Sequence, residues 1–281
     1  MSFLDHVVGS FSVGAADNPT VAMMDAAFAT EQMPWRYVNC EVEPPHLDHA
    51  VAGAWAMGWQ GFNCSMPHKQ TVIPMLTSLS SSARICHAVN CVRRTADGWE
   101  GHNTDGIGFV HSVQDVAALI GGRVLVIGAG GAAYAIAVAA AEAGAAEILV
   151  AARTTAQCAA LAELVNRNTD ASATVVAWSQ PLVPPPVDLI VNATPVGMHP
   201  GVDAALELDL SETTASDLVV ADVVFNPADT AFLRRTREQG ATTVDGTGML
   251  VNQAAENIRL WTGATPDLPP MRRALEAALE L

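Results

Sequence analysis

Gly128-Ala129-Gly130-Gly131-Ala132-Ala133 has the composition of a turn that brings backbone N–H groups against phosphate. In the G-x-G-x-x-G/A spacing, Gly128 allows the tight turn, Gly130 admits a pyrophosphate to the backbone, and the small Ala133 takes the third place. At the end of the next apolar run stands Ala152-Arg153-Thr154. No carboxylate is there to take a ribose 2′-hydroxyl, and an arginine accepts a 2′-phosphate, which favours NADP over NAD. The plainer alternative for Arg153 is a solvated surface arginine. A second polar group, Asn63-Cys64-Ser65-Met66-Pro67-His68-Lys69, closes a short apolar run, with a proline break and a lysine just inside the next turn. Strand ends of α/β sheets are where ligands meet the protein, although Lys69 alone reads as a solvated lysine and His68 alone as a structural histidine. Asp105, in Gly101-His102-Asn103-Thr104-Asp105-Gly106, is a third candidate; its alternative role is to cap the helix that follows.

These residues need elements to hold them. The unbroken aliphatic run 124–127 predicts a strand covered on both faces, the Ala-rich segment up to Gly144 a helix, and 148–151 a second parallel strand. The spacing predicts earlier strands at 5–9, 36–42 and 88–94, the last turning through Asp97-Gly98 into a hairpin. A loop should begin at Ser10. Helices are expected over 107–120, 155–168 and 271–279, with further strands at 173–178, 188–192 and 218–225. Alternating strands and helices on both sides of Gly128 predict an α/β chain with two domains. The division is expected near the helix 107–120, with 1–106 and 249–281 in one domain and 107–248 in the other.

The 281 residues carry 14 basic against 29 acidic side chains, a formal net charge of −15. Nucleic acid is excluded as a partner, since its binding rests on neutralising phosphates. No apolar run approaches the ~20 residues of a membrane span, and the start, MSFLDHVVGS, lacks a secretory signal pattern. A cytoplasmic protein is expected. The five cysteines are odd in number and form no CxxC pair, so reduced thiols are expected, and His46 and His49 beside Asp48 read as a polar helix face rather than metal ligands. No metal is expected.

Taken together, the motifs FNCSMPHK, AVN at 88–90, NTDG at 103–106, GAGGAA, NATPVGM and GTGMLVNQA resemble those of the shikimate/quinate dehydrogenase family, in the family's order and over nearly the full length. The resemblance implies an N-terminal α/β substrate domain and a Rossmann-type NADP-binding domain with a parallel sheet. It implies Lys69 and Asp105 as a catalytic pair at the cleft between the domains, and Asn63, Ser65, Asn90 and Gln253 as hydrogen-bonding partners of a polyhydroxylated ring. It places Gly128, Ala129, Gly130, Gly131, Ala132, Ala133, Arg153, Thr154, Thr194, Val223 and Gly246 around the cofactor. The implied reaction is reversible reduction of a ring ketone, 3-dehydroshikimate to shikimate in aromatic amino acid biosynthesis, with NADPH. The implied protein is a monomer or homodimer that acts on a small cyclic polyol or hydroxy acid.

Three departures from the family pattern stand in the sequence. The SxSP loop, whose hydroxyls hold the substrate carboxylate, reads Ala16-Asp17-Asn18-Pro19; Asn18 keeps an amide, Ala16 has no donor, and Asp17 would repel an acid. Ser10 and Ser12 keep the spacing but precede the proline by too much to substitute without a rearranged loop. The tyrosine of DxxY is Phe225, and NRT is ART. These changes leave hydride transfer in place and weaken recognition of an acid. The expected protein is a paralogue whose substrate carries a differently placed carboxylate or none. The alternatives are a true shikimate dehydrogenase and a catalytically idle binding protein on the same fold.

Overall fold

A computed structural model describes residues 4–211 and 217–280. Residues 1–3, part of the start inspected for a secretory signal, lie outside the described residues. The chain divides into two compact units, Met1–Thr104 with Gln253–Leu281, and Asp105–Asn252.

In chain order the first unit holds β1 (His6–Ser12), α1 (Thr20–Thr30), β2 (Trp35–Glu41), α2 (Leu47–Ala56), β3 (Gly61–Cys64), α3 (His68–Thr71), β4 (Ser78–Leu79), α4 (Ser81–Cys86), β5 (Cys91–Thr95) and β6 (Gly98–His102). Its sheet runs β2-β1-β3-β5-β6-β4, with β1, β2 and β3 mutually parallel and β5 antiparallel to both β3 and β6. One face packs Phe11, Phe62, Val92 and Trp99 against Leu47, Val51 and Ala54 of α2. The Trp99 ring meets Trp55 and Phe62 edge-on at 5.2 and 5.1 Å, and the Arg94 guanidinium lies 3.7 Å over Trp55.

The second unit holds α5 (Asp105–Val113), β7 (Arg123–Ile127), α6 (Gly131–Glu142), β8 (Glu147–Ala151), α7 (Thr155–Asn168), β9 (Ser172–Val175), β10 (Leu189–Asn192), β11 (Val219–Asp222), α8 (Ala231–Glu238) and β12 (Thr242–Val244). Then α9 (Gly246–Thr262) carries the chain back into the first unit, which ends with α10 (Leu268–Ala278). The second sheet, β12-β11-β10-β7-β8-β9, is parallel throughout. Its direction of winding reverses between β7 and β10, the switch point of a doubly wound dinucleotide-binding sheet. Helices on both faces bury the central strands, so Val124–Ile127 and Leu189–Asn192 carry almost no polar side chains. Seven residues of α6 are buried, and its small side chains let α5 approach closely. A Cβ at Gly106 would stand 2.3 Å from the Ala135 carbonyl oxygen.

Several boundaries differ from the sequence reading. The strand expected to stop at Gly9 continues to Ser12, because Ser10 and Ser12 occupy alternate positions beside the inward Phe11 and keep the ladder to β2 intact. The strand expected over 88–94 begins only at Cys91: the Val89 N–H is taken by the Lys69 carbonyl and leaves the ladder. The helix expected over 107–120 is Asp105–Val113, starting with an acid in its first turn as the dipole favours. The strand expected over 173–178 is Ser172–Val175. β4 and α4 were not legible; Ser80 caps α4 by accepting from the Ala83 N–H at 3.2 Å. Among the described residues no helix is long and apolar enough to cross a membrane.

Candidate active site

In the first unit the functional groups gather at the carboxyl ends of β1, β2 and β3, on the face opposite the aromatic core. The parallel register puts Asn39, Ser10 and Asn63 in one row across three strands. The Ser10 hydroxyl donates to Asn39 Oδ1 at 2.9 Å and accepts from Asn18 Nδ2 at 3.3 Å. Asn39 Nδ2 donates to the Asn18 carbonyl at 3.0 Å, and Asn18 Oδ1 accepts from the Thr20 N–H at the start of α1. Thus Ser10 does reach the Asn18 loop from its strand, because β1 is three residues longer than the sequence suggested.

Asn63 accepts from the Tyr37 hydroxyl at 3.0 Å and donates to the Asn90 carbonyl at 2.9 Å. Burial pushes the Tyr37 phenol far above its usual range, so it stays a protonated donor. Asn90 is 4 % exposed. Its amide donates to Gln253 Oε1 at 3.2 Å and accepts from the Thr104 N–H at 2.8 Å, while Thr104 donates to Asn257 at 2.7 Å. Asn63, Ser65 and Gln253 are half-buried. Asn90 lies beneath them and orients two of them. Tyr37, Asn39, Thr104 and Asn257 were not singled out in the sequence reading, and Ser10 was set aside as too far before the proline; the signal was there for the first two, since Tyr37 and Asn39 alternate on one face of β2.

Lys69 sits on the single turn α3, half-buried. Its carbonyl accepts from the Val89 N–H at 2.7 Å. The preceding His68 is fully buried, with Nε2 2.7 Å from the Val42 carbonyl oxygen. A carbonyl only accepts, so Nε2 carries the proton, and His68 is the structural histidine of the two readings. Burial also pushes the neighbouring Cys64 thiol up to about 12, which keeps it inert at neutral pH. Among the described residues no group of three or more His, Cys, Asp or Glu side chains is arranged to hold a metal ion, and His49 instead faces Asp48 at 3.4 Å.

The loop 13–18 carries no free pair of hydroxyls. The Glu41 carboxylate accepts from the Gly14 and Ala15 N–H groups at 2.8 and 2.7 Å. The chain's own anion therefore holds the N–H groups that the turn Ala15–Asp17 presents, and Asp17 adds a second exposed carboxylate.

In the second unit β7 leads straight into Gly128, whose φ of +124° suits glycine. A Cβ there would be 3.0 Å from the Ala193 carbonyl oxygen, so this turn packs against the loop after β10. At Gly130 and Gly131 an added Cβ would meet nothing within 4 Å. Gly130 begins α6 without a side-chain cap, and its carbonyl takes the first helical bond from Tyr134. The N–H groups of Gly131, Ala132 and Ala133 thus precede any helical acceptor, and space is open where side chains at 130 and 131 would stand, the arrangement a pyrophosphate fits. Ala133 is fully buried, which explains the small residue in the third place. Arg153 and Thr154, after β8, are exposed, and Arg153 joins none of the ion pairs among the described residues. A dinucleotide with a 2′-phosphate therefore suits the residues of this turn.

Two buried side chains shape the neighbouring loops. Asn192 Oδ1 accepts from the Thr194 N–H and hydroxyl at 3.0 and 2.7 Å, and Thr194 accepts in turn from the Val196 N–H. The Thr194 hydroxyl is therefore spent on its own turn. Asp222 accepts from Asn192 at 2.9 Å, from the Val224 N–H at 3.0 Å and from Thr230 at 2.7 Å. This fixes the segment holding Val223 and Phe225, both half-buried. Gly246 opens α9, where a Cβ would collide with the Val224 and Val223 carbonyl oxygens at 2.5 and 2.6 Å.

Comparison with known proteins gives matches over most of the chain. Residues 16–92 match the shikimate dehydrogenase substrate binding domain and residues 246–276 the shikimate 5′-dehydrogenase C-terminal domain. A shikimate dehydrogenase (NADP(+)) of Desulforamulus reducens is 38% identical, covering 96% of this chain and 94% of the relative. The ligand-free 5-ketofructose reductase of Gluconobacter sp. strain CHM43 superposes with a TM-score of 0.94 at 44% identity, covering 98% of this chain and 99% of that one. A shikimate dehydrogenase solved with NADP+ superposes with a TM-score of 0.87 at 29% identity, covering 98% and 96%.

Burial raises the Asp222 carboxyl to about 6 against the pull of its three donors. A carboxyl whose pKa is higher folded than unfolded binds a proton on folding. Its contribution is complete below the unfolded value of 3.8 and is lost as pH rises through about 6. Asp222→Asn removes that dependence. Urea unfolding of both proteins should show the variant gaining on the native chain by up to ~3 kcal/mol between pH 4 and 6, at ~1.4 kcal/mol per pH unit. A constant difference across that window would mean that Asp222 is ionised throughout.

Proposed function

The chain belongs to the shikimate dehydrogenase family, and from that premise we propose that it is an NADP-dependent reductase of a neutral polyhydroxylated ketone, reversible to the alcohol. The observation that carries this reading is the state of the loop 13–18. Ala16 has no hydroxyl, the Asn18 amide is bonded to Ser10 and Thr20, and Glu41 already holds the Gly14 and Ala15 N–H groups. A carboxylate taken from water needs several donors in return and meets two carboxylates here instead. Uncharged hydroxyls meet no such penalty. The likeness to 5-ketofructose reductase, whose named substrate is a polyhydroxylated ketone without a carboxyl group, supports the same class.

The first unit takes the substrate and the second the cofactor. Bound NADPH supplies the hydride to the ketone carbon. Lys69 gives an ammonium proton to the oxygen of that carbonyl as it becomes an alkoxide, and in the reverse direction its neutral amine takes the hydroxyl proton. Asp105 carries the carboxylate that the family resemblance pairs with that ammonium. Asn63, Ser65 and Gln253 bind ring or chain hydroxyls, with Asn90 behind them and Asn18 at the altered loop; Phe225, where the family has a tyrosine, offers no hydroxyl to the substrate. The turn 128–133 holds the pyrophosphate, Arg153 and Thr154 the 2′-phosphate, and Thr194, Val223 and Gly246 the nicotinamide half. The protein works as a cytoplasmic enzyme, monomer or homodimer, on a small molecule.

Lys69→Ala should lower turnover by ~10²–10⁴-fold and leave NADPH affinity intact. With Asp105→Asn added, the loss should fall far short of the product of the single effects, because both act on one step. A bound but unreacted ketone in the native protein would instead mark an idle binding protein.

Arg153→Ala should weaken NADP(H) by ~1.5–3 kcal/mol and spare NAD(H), the loss of one charged hydrogen bond. Titrating both cofactors checks it; equal losses would remove Arg153 from the 2′-phosphate.

Native protein should show a higher kcat/KM for 5-ketofructose than for 3-dehydroshikimate. Converting Ala16 and Asn18 to serine should raise kcat/KM for shikimate by ~10-fold or more, mainly through KM. Efficient turnover of shikimate at low KM by the native enzyme would make it a shikimate dehydrogenase in the strict sense.

A further inference from the structure

Asn39 has no counterpart among the groups assigned above, yet it lies in register with Ser10 and, through it, with Asn63. A side-chain amide offers two N–H groups and two oxygen lone pairs. Asn39 uses one N–H on the Asn18 carbonyl and one lone pair on the Ser10 hydroxyl, so one of each remains. Asn18 likewise keeps one N–H, its other being spent on Ser10. Both side chains are half-buried, open enough to meet a ligand and closed enough for hydrogen bonds there to matter.

Two further observations bear on the ligand. Ser12 follows Ser10 on the same face of β1, is 3 % exposed, and its Oγ has no hydrogen-bond partner. A buried hydroxyl without a partner is costly and rare. Glu41 follows Asn39 on the same face of β2, with its charge fixed by the Gly14 and Ala15 N–H groups. This end of the sheet thus presents unspent neutral donors and acceptors beside a held anion. Adjacent hydroxyls, each donor and acceptor, match such a surface, whereas a carboxylate can only accept and carries the wrong charge.

We propose that Asn39 is a specificity-determining residue, its free amide N–H and lone pair binding hydroxyl groups of a neutral polyhydroxylated substrate in a subsite shared with Asn18 and Ser12, while Glu41 beside it turns carboxylates away. This deepens the reading of the site given above and rests on it.

The test is steady-state kinetics with NADPH and two ketones, 5-ketofructose and 3-dehydroshikimate, on the native enzyme, Asn39→Ala and Asn39→Asp. The aspartate keeps the shape and the acceptor for Ser10 and loses the N–H groups, so it serves if the alanine variant fails to fold. Either variant should raise KM for 5-ketofructose by ~10-fold or more, the loss of one or two hydrogen bonds, with kcat at saturation and KM for NADPH unchanged. KM for 3-dehydroshikimate should not rise in Asn39→Ala. Equal rises for both ketones would reduce Asn39 to a support of the Asn18 loop and overturn the proposal. An unchanged KM for 5-ketofructose in both variants would overturn the subsite while leaving the proposed function standing. A native enzyme that reduces 3-dehydroshikimate and not 5-ketofructose would overturn the proposed function, and the subsite with it.

Discussion

The buried amide of Asn90 is the interaction on which the substrate half of this protein depends. Its backbone carbonyl receives the Cys64 N–H and the Asn63 side chain, and its side chain engages Thr104 and Gln253. Three stretches far apart in sequence, at residues 63–64, 104 and 253, meet on Asn90. In a low-dielectric interior each of these groups would cost free energy if left alone, so they are stable only together. The network therefore behaves as a unit and sets the Asn63 and Gln253 side chains in advance.

The dinucleotide half solves the same problem with backbone rather than amides. Glycines at 128, 130 and 131 leave room where side chains would stand, and the first turn of α6 leaves N–H groups unpaired. The loops around that turn are held from below by Asn192 and Asp222, both fully buried at the ends of their strands. A short polar side chain at each strand end replaces the ladder bonds that stop there. This is how the ends of β10 and β11 pass into polar loops with their own groups paired.

On the reading proposed above, charge more than shape would separate this protein from an acid-binding relative. The row Asn39–Ser10–Asn63 and the Tyr37 hydroxyl form a neutral surface, and the anion nearest to it in the strand belongs to the protein itself. A site of this type discriminates by what it cannot compensate. Hydroxyls replace water bond for bond, whereas a carboxylate would lose its hydration and gain repulsion. The same scaffold can accordingly keep one hydride chemistry and exchange its substrate class through a few residues at one end of a sheet.

Much of this was legible in the chain by itself. The Val124-Leu125-Val126-Ile127 run, the glycine turn and the Ala-rich helix declare a parallel strand–turn–helix unit, because burial on both faces and close backbone approach restrict residue types locally. The motifs around Lys69, Asp105 and Gln253, the loss of the loop serines and the exposed Arg153 were readable for the same reason: each depends on a residue's own chemistry and its neighbours in sequence. What only the tertiary structure decided is pairing across strands. That β1 runs on to Ser12, that Ser10 stands between Asn39 and Asn63, that Asn90 lies beneath the surface and not on it, and that Glu41 closes over Gly14 and Ala15 all depend on register. Register is set by long-range packing between strands, and a shift of one residue would turn every one of those side chains to the opposite face.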